Sequence, residues 1–233
     1  MILGFDTATA DTAVAITDGR PAEPLAERSI GADSNGRPAH GRALLRAIEE
    51  SLDSVGGWSE IERIAVGIGP GSFTGLRIGV STARALAQAR ELPLVGVLTT
   101  SALAAGIAAL PEAADRPRLA VVDARRGEVF VALDRGDGPS EPLVTAPGEL
   151  AGLLPPGAVD GALAAGDGSV RFRSEIEAAG AEVPSDTSPA HRLSARYVCS
   201  IGARVQPGPP EGLTPHYLRR PDAERWLERD NSN

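Results

Sequence analysis

Two stretches of this chain are laid out alike, and that repetition constrains the fold more than any other feature. Residues 2–7 and 12–17 are short apolar runs on either side of a small polar turn. Asp18-Gly19 then signals a reversal into a third strand over 22–31. Residues 119–123 and 128–134 repeat the strand–turn–strand opening around Arg125-Arg126-Gly127. Between the two, Leu44, Leu45, Ile48, Leu52 and Val55 recur at helical spacing over 40–55, and Gly56-Gly57 closes that helix. A buried strand over 61–67 leads to a glycine loop, Gly69 to Gly75, and a second helix that runs to Glu91. Pro93 stops it; a strand over 94–98 and a helix over 99–110 follow. Antiparallel strands followed by helices and parallel strands make this an α/β chain. The proline-bounded stretch 111–117 divides a lobe of residues 1–110 from a smaller one of 111–206. That second lobe holds a weakly patterned segment (135–160), a short strand before Gly166-Asp167-Gly168, and a last helix over 189–205. A Pro-rich, then charged tail over 207–233 is expected to pack partly on the body and to end in disorder.

Composition removes whole classes of chemistry. Aromatic residues are 3% of a chain that is 42% hydrophobic, so the core must be built of Ala, Val, Leu and Ile. Cys199 is the one cysteine, so no internal disulfide can form and a reducing compartment, the cytoplasm, is expected. All 23 basic residues are arginine. Without lysine there is no Schiff base, no lysine general base and no Walker-type phosphate lysine. A net charge of -8 argues against a stand-alone nucleic-acid binder, although two arginine pairs, Arg125-Arg126 and Arg219-Arg220, leave room for a local contact. No apolar run approaches the ~18 residues of a membrane span. The opening Met-Ile-Leu-Gly-Phe-Asp has no basic region and reads as a strand rather than a secretory signal.

The glycine loop follows a strand and opens a helix, a place where backbone amides favour an anion. It fails the P-loop pattern because Arg77 follows Leu76, and it fails the nucleophile elbow because Pro70 and Thr74 stand where glycines are needed. A tight turn, with Ser72 as helix N-cap, accounts for it. Asp6, beside Thr7 and Thr9, fits a metal-bound phosphate site or equally a polar turn that caps local amides. His40, His191 and His216 show no metal-ligand spacing. In the second helix Gly75, Gly79, Ala83 and Ala87 form a ridge of small side chains, and Ile78, Ala85, Leu86 and Ala89 a second apolar stripe. Such a helix needs two neighbours: the sheet, and either helix 40–55 or a partner molecule.

The run from Gly67 to Ala87, centred on Gly-Pro-Gly-Ser-Phe-Thr-Gly-Leu-Arg, closely resembles the signature of the bacterial TsaB (YeaZ) family. So do the opening Ile-Leu-Gly-Phe-Asp-Thr-Ala-Thr, the later Val-Val-Asp-Ala-Arg-Arg-Gly-Glu-Val-Phe and the late Tyr-Leu-Arg. The resemblance implies a two-lobed actin/hexokinase/Hsp70-like (ASKHA, ribonuclease H-like) fold with a reduced second lobe. It implies a non-catalytic accessory subunit in the threonylcarbamoyl modification of the adenosine next to the anticodon, in tRNAs reading ANN codons. It also implies a heterodimer with the TsaD-type transferase, a homodimer when alone, a TsaE-type ATPase in the complex, and tRNA met only through that complex. Docking through the two long helices would use Leu45, Ile48, Leu52, Leu76, Gly79, Val80, Ala83 and Ala87. The transferase paralogue carries a metal-binding histidine pair where Thr99 and Leu103 stand here, so no metal and no cofactor is expected. Asp6, Thr7, Thr9, Gly166, Asp167 and Gly168 would be remnants of an ATP/ADP site. The alternatives are an ATP-dependent enzyme of the same fold, or a glycoprotease-type peptidase, for which no zinc motif or Ser or Cys triad is present.

Overall fold

The computed structural model describes residues 1–20, 23–33 and 36–219. The expected disorder at the end of the tail, and Arg220, lie outside those residues. Strands β1 (Ile2–Asp6), β2 (Thr12–Thr17), β3 (Ala26–Ile30), β4 (Arg63–Gly69) and β5 (Leu94–Leu98) form one sheet in the order β3-β2-β1-β4-β5. The first three form an antiparallel meander, and β4 and β5 continue the sheet in parallel with β1. Strands β6 (Arg118–Arg125), β7 (Glu128–Asp134), β8 (Leu143–Thr145) and β9 (Leu163–Ala165) form a second sheet in the order β8-β7-β6-β9. Here too a meander is followed by a strand parallel to its first member. The second sheet is the plan of the first without its last strand. This is the two-lobed actin/hexokinase-like architecture, with the second lobe reduced.

Seven α-helices accompany the strands among the described residues: α1 (His40–Asp53), α2 (Phe73–Arg90), α3 (Thr99–Ala108), α4 (Leu150–Leu153), α5 (Asp167–Arg171), α6 (Arg173–Ala178) and α7 (Ala195–Gly202). The period-2 alternation of the strands sorts side chains by size. Leu3, Phe5, Val14, Ile16, Ile64 and Val66 face α1 and α2, where Leu44, Ala47, Ile48, Leu52, Ala83 and Ala87 meet them. The opposite face carries Ala13, Ala15 and Ala65, and α7 packs there through Val198 and Cys199. Helix α3 is shared: Ala102 joins this second layer, while Leu103, Ala104 and Ile107 pack on Ala120, Val122 and Phe130 of the second sheet.

The last helix departs from expectation in extent and in address. Residues 189–191 form a separate 3-10 turn, and α7 starts at Ala195. Arg192 lies in the extended link because its guanidinium reaches Asp11 (2.6 Å) and Ser29 (3.0 Å) on the first lobe. From there α7 returns to the first sheet, although it follows the second lobe in sequence. Small residues permit the approach: a Cβ at Gly4 would stand 2.5 Å from Cys199 Sγ and 3.1 Å from the Ala195 carbonyl. Burial pushes the Cys199 thiol up to about 12, so this cysteine is a packing group. Arg63 closes the helix end by donating to the Gly202 carbonyl at 2.7 Å. A Gly4→Val variant should therefore lift α7 from the sheet and cost about 1–3 kcal/mol in urea denaturation. A wild-type midpoint would show that the contact carries no stability.

Candidate functional site

The site is organised by the turn that leaves β1. The Ala8 carbonyl accepts the Ser72 N–H (2.7 Å), and the Thr7 hydroxyl donates to the Gly75 carbonyl (2.8 Å). The turn and the glycine loop thus lie directly on each other. A Cβ at Gly71 would overlap Ala8, and one at Gly75 would overlap the Thr7 carbonyl. The glycines answer to this close approach, and Ser72 accepts the Gly75 N–H (3.4 Å) as the N-cap. The same contact relocates the small-residue ridge of α2. A Cβ at Gly79 would meet Thr7 Oγ1, so the ridge faces β1 and β4 rather than another helix.

Asp6 lies beneath this turn, 1% exposed. One carboxylate oxygen accepts the Ala8 N–H (2.6 Å), and the other accepts the Thr99 hydroxyl (2.7 Å). Burial pushes the carboxyl above its ordinary value, and these two hydrogen bonds pull it back in part. Thr99 therefore serves Asp6 and is itself fully buried, while Leu103, 3% exposed, packs between the lobes. A metal bound as in the transferase paralogue does not fit these two positions. Sequence gave no signal for the Asp6–Thr99 pair, which spans 93 residues. His40 is 3% exposed and its Nδ1 lies 2.8 Å from Thr12 Oγ1. Burial pushes its imidazole below the usual value, so it is neutral near pH 7. Among the described residues no group of three or more His, Cys, Asp or Glu side chains could hold a metal ion.

Between the lobes opens a cleft of about 480 Å³. The β1 turn and the start of α2 form one wall, the β6–β7 hairpin another, and residues 216–219 cross its edge. The hairpin holds Arg125, Arg126 and Gly127 in the left-handed region (φ 64°, 56° and 79°), as a tight two-residue turn beside a bulge demands. Asp123 binds Arg171 (2.8 Å) and Arg125 (3.2 Å), and its N–H donates to Asp167 (2.9 Å). Burial, then the Asp123 charge, push the Asp167 carboxyl up. Residues of the tail contact the body: the His216 N–H donates to the Ile68 carbonyl (2.7 Å), and the Tyr217 ring lies 5.0 Å from Phe73. Arg219 then reaches the second lobe at the Ala124 carbonyl (3.0 Å) and Glu128 (2.7 Å).

Residues 35–188 match the family model described as TsaD, tRNA N6-adenosine threonylcarbamoyltransferase. The chain belongs to this TsaD family. It is 39% identical over 133 residues to the tRNA threonylcarbamoyladenosine biosynthesis protein TsaB of Escherichia coli, a match covering 56% of this chain and 53% of that protein. The matched stretch thus spans about half the length of that relative. An uncharacterized Mycobacterium bovis protein, Mb3455c, is 30% identical over 225 residues, 96% of this chain and 93% of its own. The solved structure of YeaZ from Pseudomonas aeruginosa superposes with a TM-score of 0.72 at 25% identity, covering 93% of this chain and 99% of that one.

Of the docking residues implied by the resemblance, the fold leaves Leu45 on the surface, 54% exposed. Ile48, Leu52, Leu76, Val80, Ala83 and Ala87 are each 3% exposed or less, and Gly79 is buried against Thr7. They belong to the core because α1 and α2 turn their best apolar stripes to the sheet. Gly79→Arg would accordingly damage the fold itself and cannot report on pairing alone. The six remnant-site residues also separate. Thr9 and Asp167 face each other across a small second cavity of about 230 Å³ as well as lining the cleft. Asp6 and Thr7 lie beneath it, and Gly166 and Gly168 pack on the Val121–Asp123 backbone.

Because Asp6 is held above its ordinary value near 3.8, its stabilising contribution is complete below that pH and is lost as pH rises through the folded value. The Asp6→Asn variant lacks this titration. In urea denaturation from pH 4 to 7, wild type should lose stability relative to Asp6→Asn as pH rises; a difference independent of pH would refute the assignment.

Proposed function

We propose that this protein is a non-catalytic accessory subunit of tRNA threonylcarbamoyladenosine biosynthesis, one that docks on a TsaD-type transferase and activates it. The observation that carries the reading is the state of Asp6. The one acid at the end of β1, where an actin-like phosphate site would need it, is enclosed and fully hydrogen-bonded by Ala8 and Thr99. The family match supplies the pathway, and the names of the TsaB relatives support it. The complex would include a TsaE-type ATPase, act in the cytoplasm on tRNAs reading ANN codons, and give way to a homodimer when the transferase is missing. The chain needs no cofactor of its own, and its ATP/ADP site is vestigial. No helix among the described residues is long and apolar enough to cross a membrane.

The docking surface in this reading is the outer side of α1 and α2, which touch along one face of the first sheet. Leu45, Arg42, Arg46 and Glu49 are exposed on α1, and Ser81, Arg84 and Ala85 on α2. Leu45 is its largest exposed apolar side chain. Reconstituting tRNA modification from the transferase and the ATPase, with and without this chain, tests the function. Omission should lower the rate about tenfold or more, and an equal rate would overturn the reading. Leu45→Arg should weaken transferase binding about tenfold or more, as loss of a buried apolar anchor does, with an unchanged melting temperature. Wild-type affinity would move the docking surface elsewhere.

A further inference from the structure

Arg125 and Arg126 lie far from Arg219 in the sequence, yet the fold brings the three to one place. Arg219 is bonded to the Ala124 carbonyl, next to Arg125 in the chain, and Arg125, Arg126 and Arg219 all line the rim of the interlobe cleft. Arg125 and Arg126 are exposed, and the left-handed hairpin holds them there in a conformation that favours glycine or asparagine. Across the same cleft stand Phe73 and Tyr217, whose rings are in contact, with Tyr217 41% exposed. The Arg77 guanidinium lies over the Phe73 ring at 3.9 Å. Arg171 extends the basic group through Asp123. At the cleft Asp123 pairs with Arg125 and Arg171, and Glu128 with Arg219, in a chain whose net charge is -8.

Guanidinium groups beside an accessible aromatic ring are what loop RNA needs: cations for successive phosphates and a π-face for an unstacked base. A protein partner would be served as well by the acidic remainder of the surface, which does not explain the basic, aromatic composition of this rim. We propose that the cleft rim formed by Arg125, Arg126, Arg219, Phe73 and Tyr217 binds RNA directly, taking an unpaired loop of the substrate tRNA. This rests on the reading of the protein as a tRNA-modification subunit, and it replaces contact only through the complex with a contact of the chain's own.

The test is the double variant Arg125→Glu/Arg126→Glu in the full chain, reconstituted with transferase and ATPase, with Arg125→Lys/Arg126→Lys as the charge-conserving control. Charge reversal should raise the apparent KM for tRNA about fivefold or more, with kcat changed less than about twofold and co-purification with the transferase retained. The lysine variant should stay near wild type. In titrations of the chain alone with an anticodon stem–loop RNA, log Kd against log salt should flatten by about 1–2 on charge reversal. An unchanged KM, or a loss confined to transferase binding, would overturn the proposal. If the wild-type chain adds nothing to modification, the functional reading fails, and the stem–loop titration alone decides: equal affinity of wild type and Glu variant would overturn the RNA contact as well.

Discussion

The seating of the Thr7–Ala8 turn on the glycine loop is the contact on which the rest of the molecule depends. Two hydrogen bonds and a set of glycines bring backbone onto backbone with no space for a side chain between them. That contact fixes where α2 begins, encloses Asp6 below the turn, and sets one wall of the cleft. A loop that resembles a phosphate cradle in sequence is thereby a joint between two segments of the same lobe. The amide of Ser72, which an anion would otherwise seek, is already bound to Ala8. Around this joint the chemistry of the site is inward-looking. Asp6 is hydrogen-bonded on both oxygens, Thr99 is turned to it, and His40 is neutral and buried against Thr12.

Much of the framework was legible in the residues. β2 and β5 fall on the expected runs, and α1 begins at His40, because alternation and helical spacing are local and the punctuating Gly and Pro residues are strong. The doubled plan of the lobes was legible for the same reason. The break at 192–194 was not, since it is imposed by Asp11 and Ser29 from far along the chain. The return of α7 to the first sheet depends likewise on Gly4 and Gly202, whose missing side chains leave no periodic signal. The docking residues show the deepest limit. Periodicity finds an apolar face on a helix but does not say whether that face meets the chain's own sheet or another molecule. Ile48, Leu76 and Val80 turned inward, while Leu45, one position round from Leu44, turned out.

The lobes are joined by α3 and closed on the far side by the tail, which is anchored on Ile68 and Phe73 at one end and on Ala124 and Glu128 at the other. The surfaces left for partners are then distinct. In the proposed reading the outer sides of α1 and α2 take a protein partner, and the arginine-rich rim takes RNA.

The most direct measurement is the activity of the reconstituted modification complex with Asp6→Asn in place of the wild-type chain. If Asp6 is a structural acid in a subunit that performs no chemistry, the variant supports threonylcarbamoyl transfer at the wild-type rate. A fall of about a hundredfold, with fold and complex intact, would make Asp6 part of the reaction and contradict the account.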